Sequence, residues 1–152
     1  MENTLVILKP DGVEKNLLNE VIRRFQEEDL FVSNLKGTKL NEEILREHYS
    51  HLVGRSFYKD LETFMLSGMV VIMIVSGENA VLKVREIVGA TNPKEAEPNT
   101  IRGMYGDKEN MARNVIHASD SIINASCEIK RFYKEELEKE NNKINLSYQK
   151  RR

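Results

Sequence analysis

The apolar positions change period along the chain, and each change marks an element. TLVIL at 4–8 is a short β-rich run that stops at KPDG. Proline pre-sets φ, aspartate can bond its own backbone and glycine tolerates positive φ, so Pro10, Asp11 and Gly12 read as a turn. From 16 to 28 the period becomes helical, with Leu18, Val21, Ile22 and Phe25 on one face and Arg23, Arg24 and Glu27 elsewhere. LFVSNLKGTKL at 30–40 alternates roughly and predicts a second strand. Asn41 is a good N-cap with Glu42 and Glu43 in the first turn behind it, and Ile44, Leu45, His48 and Leu52 form the stripe of that helix. A short helix carrying Leu61, Phe64 and Met65 is expected over 58–66. MVVIMIVSG at 69–77 is continuously apolar and predicts a central strand. Ala80, Val81, Val84, Ile87 and Val88 make a helix face, closed by Gly89. Residues 89–113 show no period and hold two of the three prolines, which predicts a long functional loop. NVIH predicts a fourth strand, after which Asp120 or Ser121 caps a last helix with the face Ile122, Ala125, Ile129 and Phe132. The tail from 134 is highly charged and is expected either to fray or to pack on a neighbouring subunit.

The order β-α-β-α-α-β-α-loop-β-α favours an α/β (α+β) architecture. The economical arrangement is a four-stranded sheet with helices packed against one face, in the ferredoxin-like βαββαβ manner. Composition adds limits. A chain of 152 residues suits one compact domain, expected over 1–133 with 134–152 as a charged extension. Its net charge of −1, from 23 basic and 24 acidic residues, argues against a chain built to coat nucleic acid or an anionic membrane, and leaves room for a local site for a small anion. The single cysteine, Cys127, has no internal partner, which fits a reducing cytosol. The opening MENTLVILKPDG turns polar too early for a signal peptide, and MVVIMIV is far too short to span a bilayer, so a soluble cytoplasmic protein is expected.

The candidate chemistry centres on NVIHASDS at 114–121. An imidazole is a good nucleophile near neutral pH when its second nitrogen is fixed by a hydrogen bond, and Glu128 points near the inner face of the last helix. Taken alone, His117 reads more simply as a partly buried histidine beside a helix cap. Lys9, Arg85, Arg102 and Arg113, together with Thr91, Asn114 and Ser119, could converge on an anion, as phosphoryl transfer to an imidazole requires, or could each be a solvated surface group. Tyr49 and Phe57 lie near a helix–helix junction, where Phe57 could stack on a base or pack in the core. There is no GxxxxGK[ST] loop, no GxGxxG after a strand and no CxxC. His48 and His51 lack a third ligand nearby in sequence, and His48 belongs to an apolar stripe, so it reads as a packed histidine rather than a zinc ligand.

TLVILKPDGV, REHYSHL, FMLSGMVVIMIVSGENAV, VREIVGATNPKEAEPNTIRG and RNVIHASDS together resemble the nucleoside diphosphate kinase family, from about residue 3 to residue 133. The resemblance implies a ferredoxin-like sandwich, assembled as a homo-oligomer, with a hexamer favoured and a tetramer as the alternative. It implies ping-pong transfer of the γ-phosphate from a nucleoside triphosphate to a nucleoside diphosphate, with Mg2+ bridging the nucleotide phosphates and held chiefly by nucleotide and water. On the matching positions, His117 corresponds to the phosphorylated histidine, and Glu128 and Ser119 to the groups that orient it. Lys9, Arg85, Thr91, Arg102 and Asn114 correspond to the phosphate-binding set, Tyr49 to an active-site tyrosine, and Phe57 with Leu61 to the base platform. A flat aromatic face stacks on any base, so weak base selectivity is expected. No specific nucleic-acid partner and no membrane partner are implied.

The segment RGMYGDKENMARN departs from the family pattern: Met104 replaces a usual aspartate, the run before Arg113 is slightly longer, and Met111 falls where a small apolar residue usually faces the base. Two other readings stay open at this level. One is a silent relative that binds nucleotide or a partner without turnover. The other is a histidine phosphocarrier that exchanges with proteins and has no need of Phe57 or Thr91.

Overall fold

The computed structural model describes residues 1–150; the last two residues of the expected charged extension lie outside the described residues. The strands are β1 (Glu2–Leu8), β2 (Phe31–Thr38), β3 (Val70–Gly77) and β4 (Ile116–Ala118). They form one four-stranded antiparallel sheet in the order β2-β3-β1-β4. The helices are α1 (Pro10–Glu14), α2 (Leu18–Glu27), α3 (Glu42–His48), α4 (Tyr58–Leu66), α5 (Ala80–Val88), α6 (Ile101–Tyr105), α7 (Ile122–Phe132) and α8 (Lys134–Lys150). Each of the connections β1-α2-β2 and β3-α5-β4 skips over one strand, which is the split βαβ arrangement of the expected ferredoxin-like fold.

One expectation is corrected: helices cover both faces of the sheet, not one. Val6 and Leu8 of β1 face a core shared with Val21 and Phe25 of α2 and Val84 and Val88 of α5. Leu5 and Ile7 face a second core with Leu45 of α3, Met65 of α4 and Phe132 of α7. The reason lies in the strands themselves. β1 from residue 5 to 8 and β3 from residue 70 to 75 are continuously apolar rather than alternating, and a strand of that kind needs both faces buried. The two inner strands therefore carry the double core, while β2, at an edge, leaves Phe31 and Leu35 exposed.

Two local expectations change as well. KPDG is not a bare turn but the start of the one-turn helix α1, with Pro10 at its first position, where the missing N–H costs nothing. The aperiodic stretch 89–113 contains α6, capped by the Thr100 hydroxyl, which accepts from the Gly103 N–H at 3.1 Å. The tail is helical over Lys134–Lys150, a span with no proline or glycine and many good helix formers. Ser121 is the cap of α7, accepting from the Asn124 N–H at 3.1 Å. Of the face expected for that helix, Ala125 and Phe132 are buried but Ile122 is 60% exposed.

Candidate active site

Inner strand β1, edge strand β4 and the helix starts that follow them place the polar groups around one cavity of about 430 Å³. Lys9 stands where β1 ends, Arg85 is in the last turn of α5, and His117 is the middle residue of β4, paired with Ile7. Lys9, Tyr49, Arg85, Thr91, Arg102, Asn114, His117 and Glu128 all line this cavity. Ser119 lies behind them, fully buried.

The imidazole of His117 is fixed from behind. Its Nε2 lies 2.7 Å from Glu128 Oε1, and the Ser119 hydroxyl donates to the same oxygen at 2.8 Å. Ser119 is itself held by the Leu5 N–H at 3.2 Å, so the chain of contacts is anchored in β1. Burial alone would raise the Glu128 carboxyl, but the hydrogen bond and charge of His117 and the Ser119 hydroxyl outweigh it and hold the group below its ordinary value. An ionised carboxylate can only accept, so Nε2 carries the proton and the lone pair is at Nδ1.

The cations are arranged by backbone and amide contacts. The Lys9 ammonium donates to Asn114 Oδ1 at 2.8 Å, and Asn114 Nδ2 donates to the Thr91 carbonyl at 2.9 Å. Arg102 donates to the carbonyls of Gly89 at 3.0 Å and Ile116 at 2.7 Å, tying the segment after α5 to β4. Gly89 has φ +92°, and a Cβ there would come within 2.4 Å of Thr100 Oγ1. Burial lowers Arg102 to about 10, with Arg85 adding to the effect, so it stays charged at neutral pH. Lys9 falls to about 7 because its ammonium is desolvated and faces Arg102, an effect partly offset by Asp11. Burial and the charge of Glu128 push the Tyr49 phenol upward, which keeps its hydroxyl protonated.

Some expected residues lie elsewhere. Leu61 is 7% exposed and packs in the second core. Phe57 is 45% exposed at the start of α4, beside Arg55, and does not line the cavity. Arg113 lies over the Phe64 ring at 4.9 Å instead of joining the other cations. Met111 is 55% exposed and outside the cavity lining. Conversely, the cavity includes His48, Asp120, Asn124, Cys127 and Arg131. The last four repeat at helical spacing and form the polar face of α7 and of the residue before its cap, opposite the apolar positions that revealed the helix. His48 is buried as expected, but its ring meets that of His117 edge-on, with centroids 4.8 Å apart. Burial and the neighbouring His117 lower His48 to about 3, and Arg131 donates to its Nδ1 at 3.0 Å, so it stays neutral.

A scaffold of this kind offers an imidazole with a free nitrogen, two buried cations, Lys9 and Arg102, beside the exposed Arg85, and room for a polyphosphate. The family model for nucleoside diphosphate kinase matches residues 2–137. The chain belongs to the nucleoside diphosphate kinase family. It is 44% identical over 135 residues to the nucleoside diphosphate kinase of Acetivibrio thermocellus, covering 89% of this chain and 98% of that protein. It is also 44% identical over 135 residues to the enzyme of Methanocaldococcus jannaschii, covering 89% of this chain and 95% of that one. The crystal structure of the Encephalitozoon cuniculi nucleoside diphosphate kinase superposes with a TM-score of 0.81 at 39% identity, covering 86% of this chain and 88% of that chain. The Aquifex aeolicus nucleoside diphosphate kinase superposes with a TM-score of 0.80 at 40% identity, covering 86% and 94%. The chain is thus a phosphotransferase that acts on nucleotides: the γ-phosphate of a nucleoside triphosphate passes to a nucleoside diphosphate through a phosphohistidine, and a divalent metal is required.

Proposed function

We propose that His117 carries the phosphate, on Nδ1. The observation that supports this most is the Ser119–Glu128–His117 chain, which commits Nε2 and leaves Nδ1 available. In the first half-reaction the Nδ1 lone pair attacks the γ-phosphorus. The bond to the β–γ bridging oxygen breaks, and the nucleoside diphosphate leaves. The imidazole becomes a cation while phosphorylated, and the Glu128 carboxylate stabilises that charge. In the second half-reaction the terminal oxygen of a different nucleoside diphosphate attacks the same phosphorus from the leaving side, and His117 is restored.

Arg85 and Arg102, and Lys9 in the protonated form that nucleotide favours, supply positive charge for the phosphate oxygens, with Thr91, Asn114 and the Tyr49 hydroxyl as neutral partners. No dedicated metal cage is built from these residues. Magnesium prefers hard oxygen ligands, and among the carboxylates lining the cavity Glu128 is committed to His117 and Glu47 to Arg131. His48, His117 and Glu128 offer three ligand atoms within 4.8 Å of one another, but imidazoles suit softer ions. The residues fit a Mg2+ held mainly by the nucleotide phosphates and water, with Asp120 as the one available carboxylate. When bound, it neutralises charge on the β- and γ-phosphates.

The base is assigned to the exposed face of Phe57, with Leu61 beneath the same helix as support. Stacking is worth about 1–3 kcal/mol per base. Phe57→Ala is therefore expected to weaken binding of ADP and GDP about tenfold and alike, as read by equilibrium titration. Unchanged affinity would place the base elsewhere. Phe31 and Leu35 on edge strand β2 support a homo-oligomer, for which a hexamer is favoured over a tetramer, and the lone Cys127 supports a cytoplasmic location. Among the described residues no helix is long and apolar enough to cross a membrane. Residues 1–133 are taken as the kinase domain and 134–152 as its charged extension.

The assignment of Glu128 is tested by Glu128→Gln in a single-turnover experiment with Mg-ATP. Glutamine still accepts from Nε2 but carries no charge to balance the phosphorylated ring. The phosphohistidine should form about 10–100 times more slowly, with nucleotide affinity unchanged. A wild-type rate would remove Glu128 from the mechanism.

A further inference from the structure

His117 is aimed by a strained turn two residues before it. Val115 has φ +65°, and the Ile116 N–H donates to the Asn114 carbonyl at 2.8 Å across it. This is a γ-turn of the rare, strained hand. Positive φ suits glycine or asparagine, and a β-branched residue there is a genuine outlier. The other non-glycine residues of positive φ in the described chain are asparagines and one aspartate. Such a conformation persists only where its surroundings over-determine it, and such sites cluster where function needs them.

The surroundings are supplied by the segment after β1. The buried Asp11 carboxylate accepts from the Val115 N–H through Oδ2 at 3.1 Å, and the Lys9 N–H donates to the Val115 carbonyl at 2.9 Å. Gly12 leaves room for that carbonyl, since a Cβ there would stand 2.6 Å from it. Neither Oδ1 nor Oδ2 of Asp11 serves the cavity: Asp11 is absent from its lining, and Oδ1 is buried without a hydrogen-bond partner. A buried carboxylate whose one hydrogen bond to another residue goes to the one β-branched residue of positive φ among the described residues calls for a reason.

We infer that Asp11 is a positioning residue for phosphoryl transfer: its carboxylate clamps the Val115 γ-turn and thereby sets the direction from which His117 meets the phosphate. If the turn relaxed to ordinary extended backbone, the start of β4 would rotate. The imidazole would then be misplaced with every phosphate-binding side chain still present. This inference rests on the assignment of His117 as the phosphate carrier.

The test compares Asp11→Ala with Asp11→Asn by the rate at which γ-labelled ATP and magnesium phosphorylate the protein, alongside equilibrium affinity for ADP. Asparagine can offer an oxygen to the Val115 N–H, and alanine cannot. Asp11→Ala should phosphorylate about 100 times more slowly with ADP affinity retained, since a misplacement of about 1 Å costs roughly that much. Both variants remove the negative partner of Lys9 and so lower Lys9 further, and each protein is therefore compared at its own optimum pH. There Asp11→Asn should recover to within about threefold of wild type. An unchanged rate in Asp11→Ala, or an Asp11→Asn variant as slow as the alanine, overturns the inference. If Asp11→Ala fails to fold, the Val115→Gly background carries the test, because glycine takes positive φ without a clamp. In it, adding Asp11→Ala should leave the rate within about threefold of Val115→Gly alone, and a further large loss overturns the inference. Label that still forms in His117→Ala would show instead that the underlying assignment is wrong, a failure distinct from either outcome for Asp11.

Discussion

Replacing His117 with alanine should abolish phosphate exchange while the protein stays folded and still binds nucleotide. On the proposed assignment the side chain is the sole carrier in a two-step relay, so its loss removes both half-reactions together. A fall on the order of 10⁴-fold or more in turnover is expected, down to background. The fold should survive because β4 is held by its backbone pairing with β1, and Val115, Ile116 and Ala118 keep their places in the first core. The substitution leaves Glu128 without its imidazole but still bonded to Ser119, at a stability cost of about 1–3 kcal/mol. Affinity for ADP should stay close to wild type, since Lys9, Arg85 and Arg102 remain. Turnover measured by coupled assay, together with thermal unfolding and ADP titration, checks all three statements. Retained turnover would show that the phosphate does not travel through this histidine.

The second large effect is expected at Lys9. Its ammonium is buried among cations, and the free enzyme holds it at about 7 instead of the usual 10.5, chiefly through desolvation and then through Arg102. In the free enzyme Lys9 is therefore charged below about 7 and increasingly neutral above it. Nucleotide phosphates favour the charged form and raise the value again. Between the free and bound values, nucleotide binding must take up a proton, and affinity must fall as pH rises through that window. Calorimetry of ADP binding near pH 8, in buffers of different ionisation enthalpy, should show this uptake for wild type and lose it in Lys9→Ala. The phosphorylation rate of Lys9→Ala should drop by about 10²–10³-fold, the usual cost of removing one preorganised charge from a developing oxyanion. Proton uptake that persists in Lys9→Ala would assign it to another group.

The parts of the fold that were legible in the chain are those with a strong, single period. The β3 run, the 58–66 helix and the Gly89 stop all appear where the pattern puts them. The misses share a cause. In KPDG and in TIRGMY the helix is one turn long, too short for a period to register, and depends on a cap or on Pro10. The double core was encoded in the unbroken apolarity of TLVIL, which alternation-based reasoning treats as a strand without saying how many faces it buries. Within the site, the spacing of His117 and Glu128 allowed their pairing, and the phosphate-binding residues could be named as candidates, but only the resemblance chose between an anion site and solvated surface groups, since its five members are scattered over five elements and loops. The polar face of α7 carries no signal of its own in the chain, because a helix is legible by what it buries, here Ala125 and Phe132. The Val115 turn was not legible at all: every local preference of valine argues against positive φ, and the clamp that imposes it lies 104 residues away at Asp11.

The most direct measurement of the central claim is a label chase. Purified protein is incubated with magnesium and ATP labelled at the γ-phosphate, freed of nucleotide, and then given unlabelled GDP. The account predicts an acid-labile, alkali-stable label on the wild-type protein, absent from His117→Ala, that transfers completely to GTP on the chase. A wild-type protein that binds ATP yet acquires no label, or a label that stays on the protein when GDP is added, would contradict it.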